Sequence, residues 1–274
     1  MMLPQCHGTL LGVRYASFPE LRSAMATHDV NIAGFKVFDG SADSLVHGIV
    51  RSDKSLTTAF ALHVGGINKW KNSEFRDVMN RADFVYADGI AIVLLAKIAG
   101  ARHVERAPTT DIAWSVLFEF QHLYNRRPTV ALVGGVPGLA EEAARVLDQR
   151  GAAEVVYVNH GYHVEPATVI DGLDNSRPDI LFVGMGMPAE AHWTDANIRA
   201  HSARIVMTCG GWFGFLSGQE KRAPLPAQRI GLEWVWRISQ DPRRLWKRYV
   251  LGAVTTVRLA FRTIYERSHA RRQR

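Results

Sequence analysis

Residues 129–150 read TVALVGGVPGLAEEAARVLDQR, which joins an apolar strand, a glycine-rich turn and a helix. Residues 129–133 have the length and composition of a buried strand, and apolar residues recur at helical spacing over 139–150. Glycines in the intervening turn, residues 134–138, allow close backbone approach, and the helix N-terminus favours an anion. The turn is not the dinucleotide-binding fingerprint, so a plain tight turn and a nucleotide contact remain equally compatible with it.

The same alternation continues along the chain. We predict strands at residues 30–38, 56–64, 82–87, 129–133, 154–158, 180–183 and 205–208. We predict helices at residues 19–27, 42–51, 73–81, 112–124 and 139–150. Short apolar strands separated by helices indicate an α/β fold with a parallel sheet covered on both faces.

Basic residues concentrate at the C-terminal end. Residues 221–274 contain 14 Lys and Arg and 3 Asp and Glu, a net charge of +11, although the whole chain carries only +7. Such a segment can face phosphate on nucleic acid, on lipid headgroups or on a diphosphate substrate, and charge alone does not choose among them. Apolar residues near helical spacing predict an amphipathic helix there: Leu245, Tyr249, Val250, Val254, Val257, Phe261 and Ile264. We therefore predict three regions: an N-terminal extension (1–29), a core (30–220) and a basic helical appendage (221–274).

Cysteine usage and hydropathy favour a cytoplasmic protein. Cys6 and Cys209 form no Cys-x-x-Cys pair, so neither a disulfide framework nor a zinc knuckle is predicted. Residues 1–28 lack the pattern of a signal peptide. The most apolar run, residues 90–96, is far shorter than the roughly 20 residues that span a bilayer. Any membrane association is expected to be peripheral.

Candidate functional residues follow the predicted strands, because ligands of parallel sheets bind beyond the carboxyl ends of the strands. Asp88 follows residues 82–87 and is either a catalytic carboxylate or a helix N-cap. Arg106 and Asp111 precede a helix, and Asp111 has the same capping alternative. Two more glycine-rich turns, at residues 184–188 and 210–214, predict that all these turns line one shared cleft.

No metal site is predicted. His160, His163 and His192 form no His-x-x-x-His or His-Glu-x-x-His pair, and the chain has no Asp-x-Asp. Ordinary structural or surface roles are expected for these histidines.

Seven sequence motifs, in this order along the chain, point to a known family. They are ADFVYADG (82–89), ER-x-x-x-x-D (105–111), LVGGVPG (132–138), RPDILFVGMGMP (177–188), CGGWFGFLSG (209–218), KRAP (221–224) and GLEWVWRISQDPRRLWKRY (231–249). Together they resemble the WecG/TagA/CpsF family of glycosyltransferases, glycosyltransferase family 26, across about residues 30–250. The motif at residues 231–249 is the most specific, because no folding rule predicts its combination of residues.

The resemblance implies an inverting, metal-independent hexosyltransferase that has a Rossmann-like core and needs no cofactor. Its donor would be a UDP-sugar, especially UDP-N-acetylmannosamine. Its acceptor would be a sugar on a polyprenyl diphosphate, in cell-surface polysaccharide or teichoic acid-type biosynthesis. The implied partners are these substrates and an anionic membrane surface at the inner face of the cytoplasmic membrane. Nucleic acid is not expected, and homo-oligomer formation stays open.

The resemblance also assigns residues to roles. The family's general base falls on Asp88. Its diphosphate or acceptor cations fall on Arg237 and Arg244, with Lys247 or Arg248 as the third. The expected donor-binding residues are Thr58, Arg106, Asp111, Gly134, Gly135, Gly184, Gly186, Pro188 and Glu190.

Four positions depart from the family pattern, all of them expected in the cleft. Phe60 replaces an Asn, Thr109 a Gly, Glu190 a Gln and Gly214 an Asp. These departures leave the donor sugar open. The alternative is a nucleotide-sugar-binding protein of the same fold without catalysis, against which the retention of Asp88 argues.

Overall fold

The computed structural model describes residues 29–161, 164–229 and 232–272, without the side chains of Arg229, Arg244 and residues 270–272. The helix predicted at residues 19–27 and the side chain of His163 lie outside these residues.

A β-hairpin opens the described chain. Strands β1 (Asp29–Ile32) and β2 (Phe35–Phe38) pair antiparallel in a sheet of their own. The prediction of one strand over residues 30–38 is therefore wrong. The chain reverses at Ala33 and Gly34, which both have positive φ (51° and 94°), and the Asn31 side chain accepts a hydrogen bond from the Gly34 amide (2.9 Å). Local turn chemistry thus interrupts an otherwise continuous apolar run.

Six further strands form one parallel sheet in the order β4-β3-β8-β7-β5-β6. They are β3 (Thr57–Leu62), β4 (Phe84–Ala87), β5 (Thr129–Gly134), β6 (Glu154–Asn159), β7 (Ile180–Gly184) and β8 (Ile205–Thr208). The parallel register places the last residues of β3 and β4 side by side, and likewise those of β5 and β7. The predicted α/β, Rossmann-like class is confirmed.

Helices cover both faces of this sheet. They are α1 (Ala42–Val50), α2 (Val64–Ile67), α3 (Ser73–Arg81), α4 (Ile90–Ala99), α5 (Thr109–Tyr124), α6 (Leu139–Gln149), α7 (Pro166–Ser176), α8 (Ala189–Asn197) and α9 (Trp212–Leu216). Strand side chains alternate between the two faces, as a pleated strand requires. In β3, Ala59 and Ala61 face a core shared with α1, α5 and α6, whereas Phe60 and Leu62 face the core beneath α3 and α4.

The C-terminal region is helical: α10 (Leu225–Arg229), α11 (Glu233–Gln240) and α12 (Pro242–Arg272). The long α12 packs against α2 and α4. Leu259 is buried in the core beneath α4, and Gly252 packs so closely on Val64 that a β-carbon would clash. The Asn68 side chain donates to the backbone carbonyl of Arg248 (3.1 Å). The appendage therefore contributes to the folded core.

The opposite face of α12 is apolar and exposed. Its side chains are Val250, Leu251, Val254, Val257, Phe261, Ile264 and Tyr265. Among the described residues, no helix has the length and apolar character needed to cross a membrane.

Candidate active site

A cavity of about 630 Å³ lies at the carboxyl ends of the parallel strands. Its volume is within the range of small-molecule sites. The residues that follow β3, β4, β5, β7 and β8 line one side, and α11 and α12 close the other. The shared cleft predicted from successive strand ends is therefore present, and the appendage forms part of its wall.

Asp88 lines this cavity and lies directly after β4. The N-cap residue of α4 is Gly89, and no side chain caps this helix, so the capping alternative for Asp88 is excluded. Burial raises the pKa of the Asp88 carboxyl, and the charge of Arg237 and hydrogen bonds from Thr109 lower it in part. A carboxylate with a raised pKa is a stronger base than one in water.

Thr109 connects Asp88 to the interior of the sheet. The Thr109 hydroxyl donates to Oδ2 of Asp88 (3.2 Å) and lies 2.8 Å from the hydroxyl of buried Tyr86. Tyr86 in turn lies 3.4 Å from the carbonyl oxygen of Thr208. The position where the family has Gly therefore supplies a hydrogen bond that fixes the orientation of the Asp88 carboxylate.

Glu190 lies at the start of α8 and is fully buried. Its Oε2 accepts hydrogen bonds from the amides of Gly186 (2.9 Å) and Gly210 (3.0 Å), which joins the turns after β7 and β8. Its Oε1 has no hydrogen-bond partner among the described residues. Burial raises the pKa of Glu190 to about 7 despite the two amide donors.

The glycine-rich turns serve the packing of the sheet more than the binding of a ligand. The amides of Gly186 and Gly210 are used by Glu190, and the amide of Gly135 donates to the carbonyl of Gly184 (3.0 Å). A β-carbon on Gly134 would lie 2.4 Å from the Gly184 backbone. Glycine here permits close packing of β5 and β7, and the amides of Gly135, Gly186 and Gly210 are not free to bind an anion.

Three guanidinium groups line the cavity. Arg106 pairs with Glu233 of α11 (3.1 Å), and Arg237 of α11 pairs with Glu220 (3.3 Å). Arg248 differs from these two, because no carboxylate among the described residues forms an ion pair with it, and its buried Nε has no hydrogen-bond partner.

His63 supports Arg248. The Arg248 Nη2 atom lies 2.9 Å and 3.0 Å from the two ring nitrogens of His63, and the ring Nδ1 accepts the Gly65 amide (3.0 Å). Burial and the charges of Arg248 and Arg237 hold the pKa of His63 well below its usual value, so the ring is neutral at pH 7. A neutral ring cannot balance the buried charge of Arg248, which favours an anionic ligand.

The structure brings most of the predicted site residues to this cavity. The lining includes Asp88, Arg106, Gly135, Gly184, Gly186, Glu190, Arg237 and Arg248. Of the departures from the family pattern, Thr109, Glu190 and Gly214 also line it.

Thr58 and Phe60 do not reach the cavity, so their expected positions are corrected. Thr58 lies at the opposite end of β3, where its hydroxyl and amide donate to Asp83 (2.9 and 2.8 Å). Phe60 is buried in the core. The strand end that does reach the cavity carries His63, which the sequence analysis missed. The rule that site residues follow the strands would have found it.

Four other predicted residues lie outside the cavity lining. Asp111 pairs with Arg222 (2.6 Å) and caps no helix, because the N-cap of α5 is Pro108 without a side-chain hydrogen bond. Gly134 and Pro188 have backbone roles, and Lys247 extends over the ring of Trp246. Arg244 belongs to α12, but its side chain is not described. The described residues contain no group of three or more metal-ligating side chains.

Fold and cavity together define a Rossmann-like α/β protein with a buried carboxylate among guanidinium groups at the strand ends. The sequence model of the "Glycosyl transferase WecG/TagA/CpsF family" matches residues 30–270. The chain belongs to this family of glycosyltransferases, which confirms the resemblance.

Curated relatives are similar over a shorter stretch. An "N-acetylglucosaminyldiphosphoundecaprenol N-acetyl-beta-D-mannosaminyltransferase" of Staphylococcus aureus (strain MRSA252) is 27% identical over 175 residues, covering 64% of this chain and 66% of the relative. A protein of the same name from Bacillus spizizenii is 28% identical over 184 residues, covering 67% and 70%. The chain thus spans about two thirds of the length of these relatives.

Glu190 should make stability depend on pH. Its pKa is about 7 in the folded protein against 4.5 ordinarily, so folding favours the protonated form. Between these values the free energy of unfolding should fall as pH rises, by up to about 1.4 kcal/mol per pH unit. Urea unfolding at a series of pH values should show this slope in the wild type and a flatter one in Glu190→Gln.

The matched control is Glu141→Gln, which changes an exposed carboxylate on α6. It should keep the wild-type slope. Equal slopes for Glu190→Gln and the wild type would contradict the prediction.

Proposed function

We propose that this protein transfers a hexose from a UDP-sugar to a sugar carried on a polyprenyl diphosphate, with inversion at the anomeric carbon and without a metal ion. The observation that carries the proposal is the combination, in one cavity, of Asp88 with Arg237 and with Arg248, which forms no ion pair with a carboxylate of the described residues. A general base and cations for a diphosphate are the groups that such a transfer needs.

The relatives support the class of both substrates. Their name describes transfer of N-acetylmannosamine to N-acetylglucosamine on diphosphoundecaprenol. We propose the same kind of lipid-linked acceptor here. The donor sugar is proposed only as a hexose on UDP, because Thr109, Glu190 and Gly214 change side chains that line the cavity.

In the proposed mechanism Asp88 accepts the proton of the acceptor hydroxyl. The acceptor oxygen attacks the anomeric carbon as the bond from that carbon to the diphosphate oxygen breaks, and UDP leaves from the opposite face. The Thr109 hydroxyl, which donates to Oδ2, orients the Asp88 carboxylate for this step. A single displacement of this kind inverts the configuration.

The leaving diphosphate gains negative charge as its bond to the sugar breaks. Arg237 and Arg248 are the cations that we propose to stabilise it, since the amides of Gly135, Gly186 and Gly210 already have acceptors. Cations held in place before the reaction stabilise such charge without reorganisation.

The function is tested by UDP release from a panel of UDP-hexoses with a short-chain prenyl-diphosphate-linked sugar as acceptor. The wild type should release UDP in an acceptor-dependent way with at least one donor. Asp88→Asn should fold normally and lower this rate by about 10² to 10⁴, the usual contribution of a general base.

Asp171→Asn, on the exposed surface of α7, is the matched control and should keep the wild-type rate. Donor binding without acceptor-dependent release in the wild type would favour the binding-protein alternative. Full activity of Asp88→Asn would remove Asp88 from the mechanism.

Substitutions of Arg248 and of its neighbour Lys247 distinguish the two candidates for the third cation. Arg248 lines the cavity, whereas Lys247 is exposed beside Trp246. Arg248→Ala should lower kcat by on the order of 10², like the loss of one transition-state donor. Lys247→Ala should stay within about fivefold of the wild type, because exposed charges contribute little. The opposite ranking in steady-state kinetics would assign the role to Lys247.

We also propose that α12 holds the protein on the cytoplasmic face of an anionic membrane. Its exposed apolar face includes Val254, Phe261 and Ile264, and residues 221–274 carry a net charge of +11. Anionic lipid attracts each nearby Lys or Arg by about 1 kcal/mol, and apolar side chains can enter the headgroup region. A peripheral protein could in this way reach a lipid-linked acceptor.

Vesicle flotation tests the membrane proposal. Phe261→Asp should reduce flotation with phosphatidylglycerol-containing vesicles at low salt, because it places a like charge beside the lipid. Phe118→Asp, which changes an equally large exposed side chain on α5, should leave flotation unchanged. If Phe261→Asp alters sedimentation of the free protein and not flotation, this face joins two copies of the chain instead.

A further inference from the structure

The catalytic cavity continues into an uncharged arm between α4 and α12. Ile90, Ala91 and Leu94 line it from α4, and the cavity-lining residues between Tyr249 and Val257 line it from α12. We call this arm the apolar track. None of these residues carries a charge, whereas Arg106, Arg237 and Arg248 lie in the rest of the cavity lining.

The spacing of the lining residues shows how the track runs. The α4 positions are one helical turn apart, and the α12 positions lie on one face of that helix. From Tyr249 to Val257 the cavity follows α12 over eight residues, a distance of ~12 Å at 1.5 Å per residue. Arg267 donates to the carbonyl of Ile98 (2.6 Å), so the two helices remain side by side beyond the track.

The track opens at the protein surface. Leu94 and Val257 line the cavity, yet their side chains are 50% and 55% exposed. The neighbouring face of α12 is also apolar and exposed, with Phe261 the next such side chain along the helix. Contiguous exposed apolar surface that leads into a cavity commonly marks a binding site.

We infer that the apolar track binds the first isoprene units of the acceptor's polyprenyl chain. The inference rests on the proposed function. It commits to a prenyl chain because the track begins at Ile90, two residues after Asp88, in the same cavity. An acceptor whose hydroxyl lies at Asp88 would have its lipid end directed between α4 and α12, where only uncharged residues line the cavity as far as Val257.

The length of the apolar track determines how many isoprene units of the polyprenyl chain it can bind. A channel of ~12 Å accommodates roughly three isoprene units, and the remaining units leave between Leu94 and Val257. Binding should therefore strengthen with each unit up to about three and then level off. The gain per buried methylene is about 0.8 kcal/mol, or roughly fourfold in affinity.

The test is calorimetric binding of dimethylallyl, geranyl, farnesyl and geranylgeranyl diphosphate to the full chain, without vesicles and below micelle concentrations. In the wild type the affinity should rise at least tenfold from dimethylallyl to farnesyl diphosphate. It should change less than threefold from farnesyl to geranylgeranyl diphosphate. Affinity that does not depend on chain length would overturn the inference.

A matched pair of variants locates the binding site. Val257→Asn changes a track residue, and Val254→Asn makes the same change on exposed α12 surface outside the cavity. The ratio of farnesyl to dimethylallyl affinity should fall at least threefold in Val257→Asn and stay at the wild-type value in Val254→Asn. Leu94→Gln against Leu251→Gln repeats the comparison with leucines.

The outcomes separate this inference from the proposed function. Equal losses in Val254→Asn and Val257→Asn would assign the chain-length effect to the outer face of α12 and overturn the track. Because binding needs no sugar transfer, a protein that lacks transferase activity but shows the chain-length pattern would lose the proposed function and keep the prenyl site. A protein that shows transferase activity but no dependence of affinity on chain length would keep the proposed function and lose the prenyl site.

Discussion

Parallel pairing of β3, β4, β5, β7 and β8 brings five strand ends to one edge of the sheet, and this constraint places the polar groups that follow those strands. Asp88 follows β4, His63 follows β3, and the turns after β7 and β8 meet where Glu190 binds both of their amides. Because a backbone amide can serve one strong acceptor at a time, the amides of Gly186 and Gly210 are not available to a bound anion, and the arginines of the C-terminal helices supply positive charge instead.

The C-terminal appendage supplies two of the guanidinium groups that line the cavity. Arg237 and Arg248 come from α11 and α12, and they reach the strand ends only because α12 is packed on the core through Leu259 and the close contact of Gly252 with Val64. No carboxylate among the described residues forms an ion pair with Arg248, so its half-buried guanidinium carries a desolvation cost. A bound anion would offset this cost, so the folded appendage prepares the site for a diphosphate.

The cavity has a charged part and an uncharged part, as a polyprenyl diphosphate has. The guanidinium groups of Arg106, Arg237 and Arg248 supply the positive charge, and the facing sides of α4 and α12 supply apolar surface. The same helix, α12, carries Arg248 at one end of the cavity and Val257 at the other. One continuous helix can therefore hold the donor's leaving diphosphate and the first part of the acceptor's lipid in a fixed relation, beside an apolar face proposed to lie on the membrane.

Periodicity and turn residues in the sequence determined the six strands of the parallel sheet, helices α1, α3, α5, α6 and α12, the α/β class and the position of Asp88, because these depend on neighbours along the chain. The hairpin at Ala33 escaped because one local turn breaks an apolar run. Only the tertiary structure decided that His63, not Thr58, reaches the cavity and that Arg248, not Lys247, lines it. Such choices depend on strand length, on which face of a helix packs inward and on contacts between distant segments, and none of these is encoded in spacing alone.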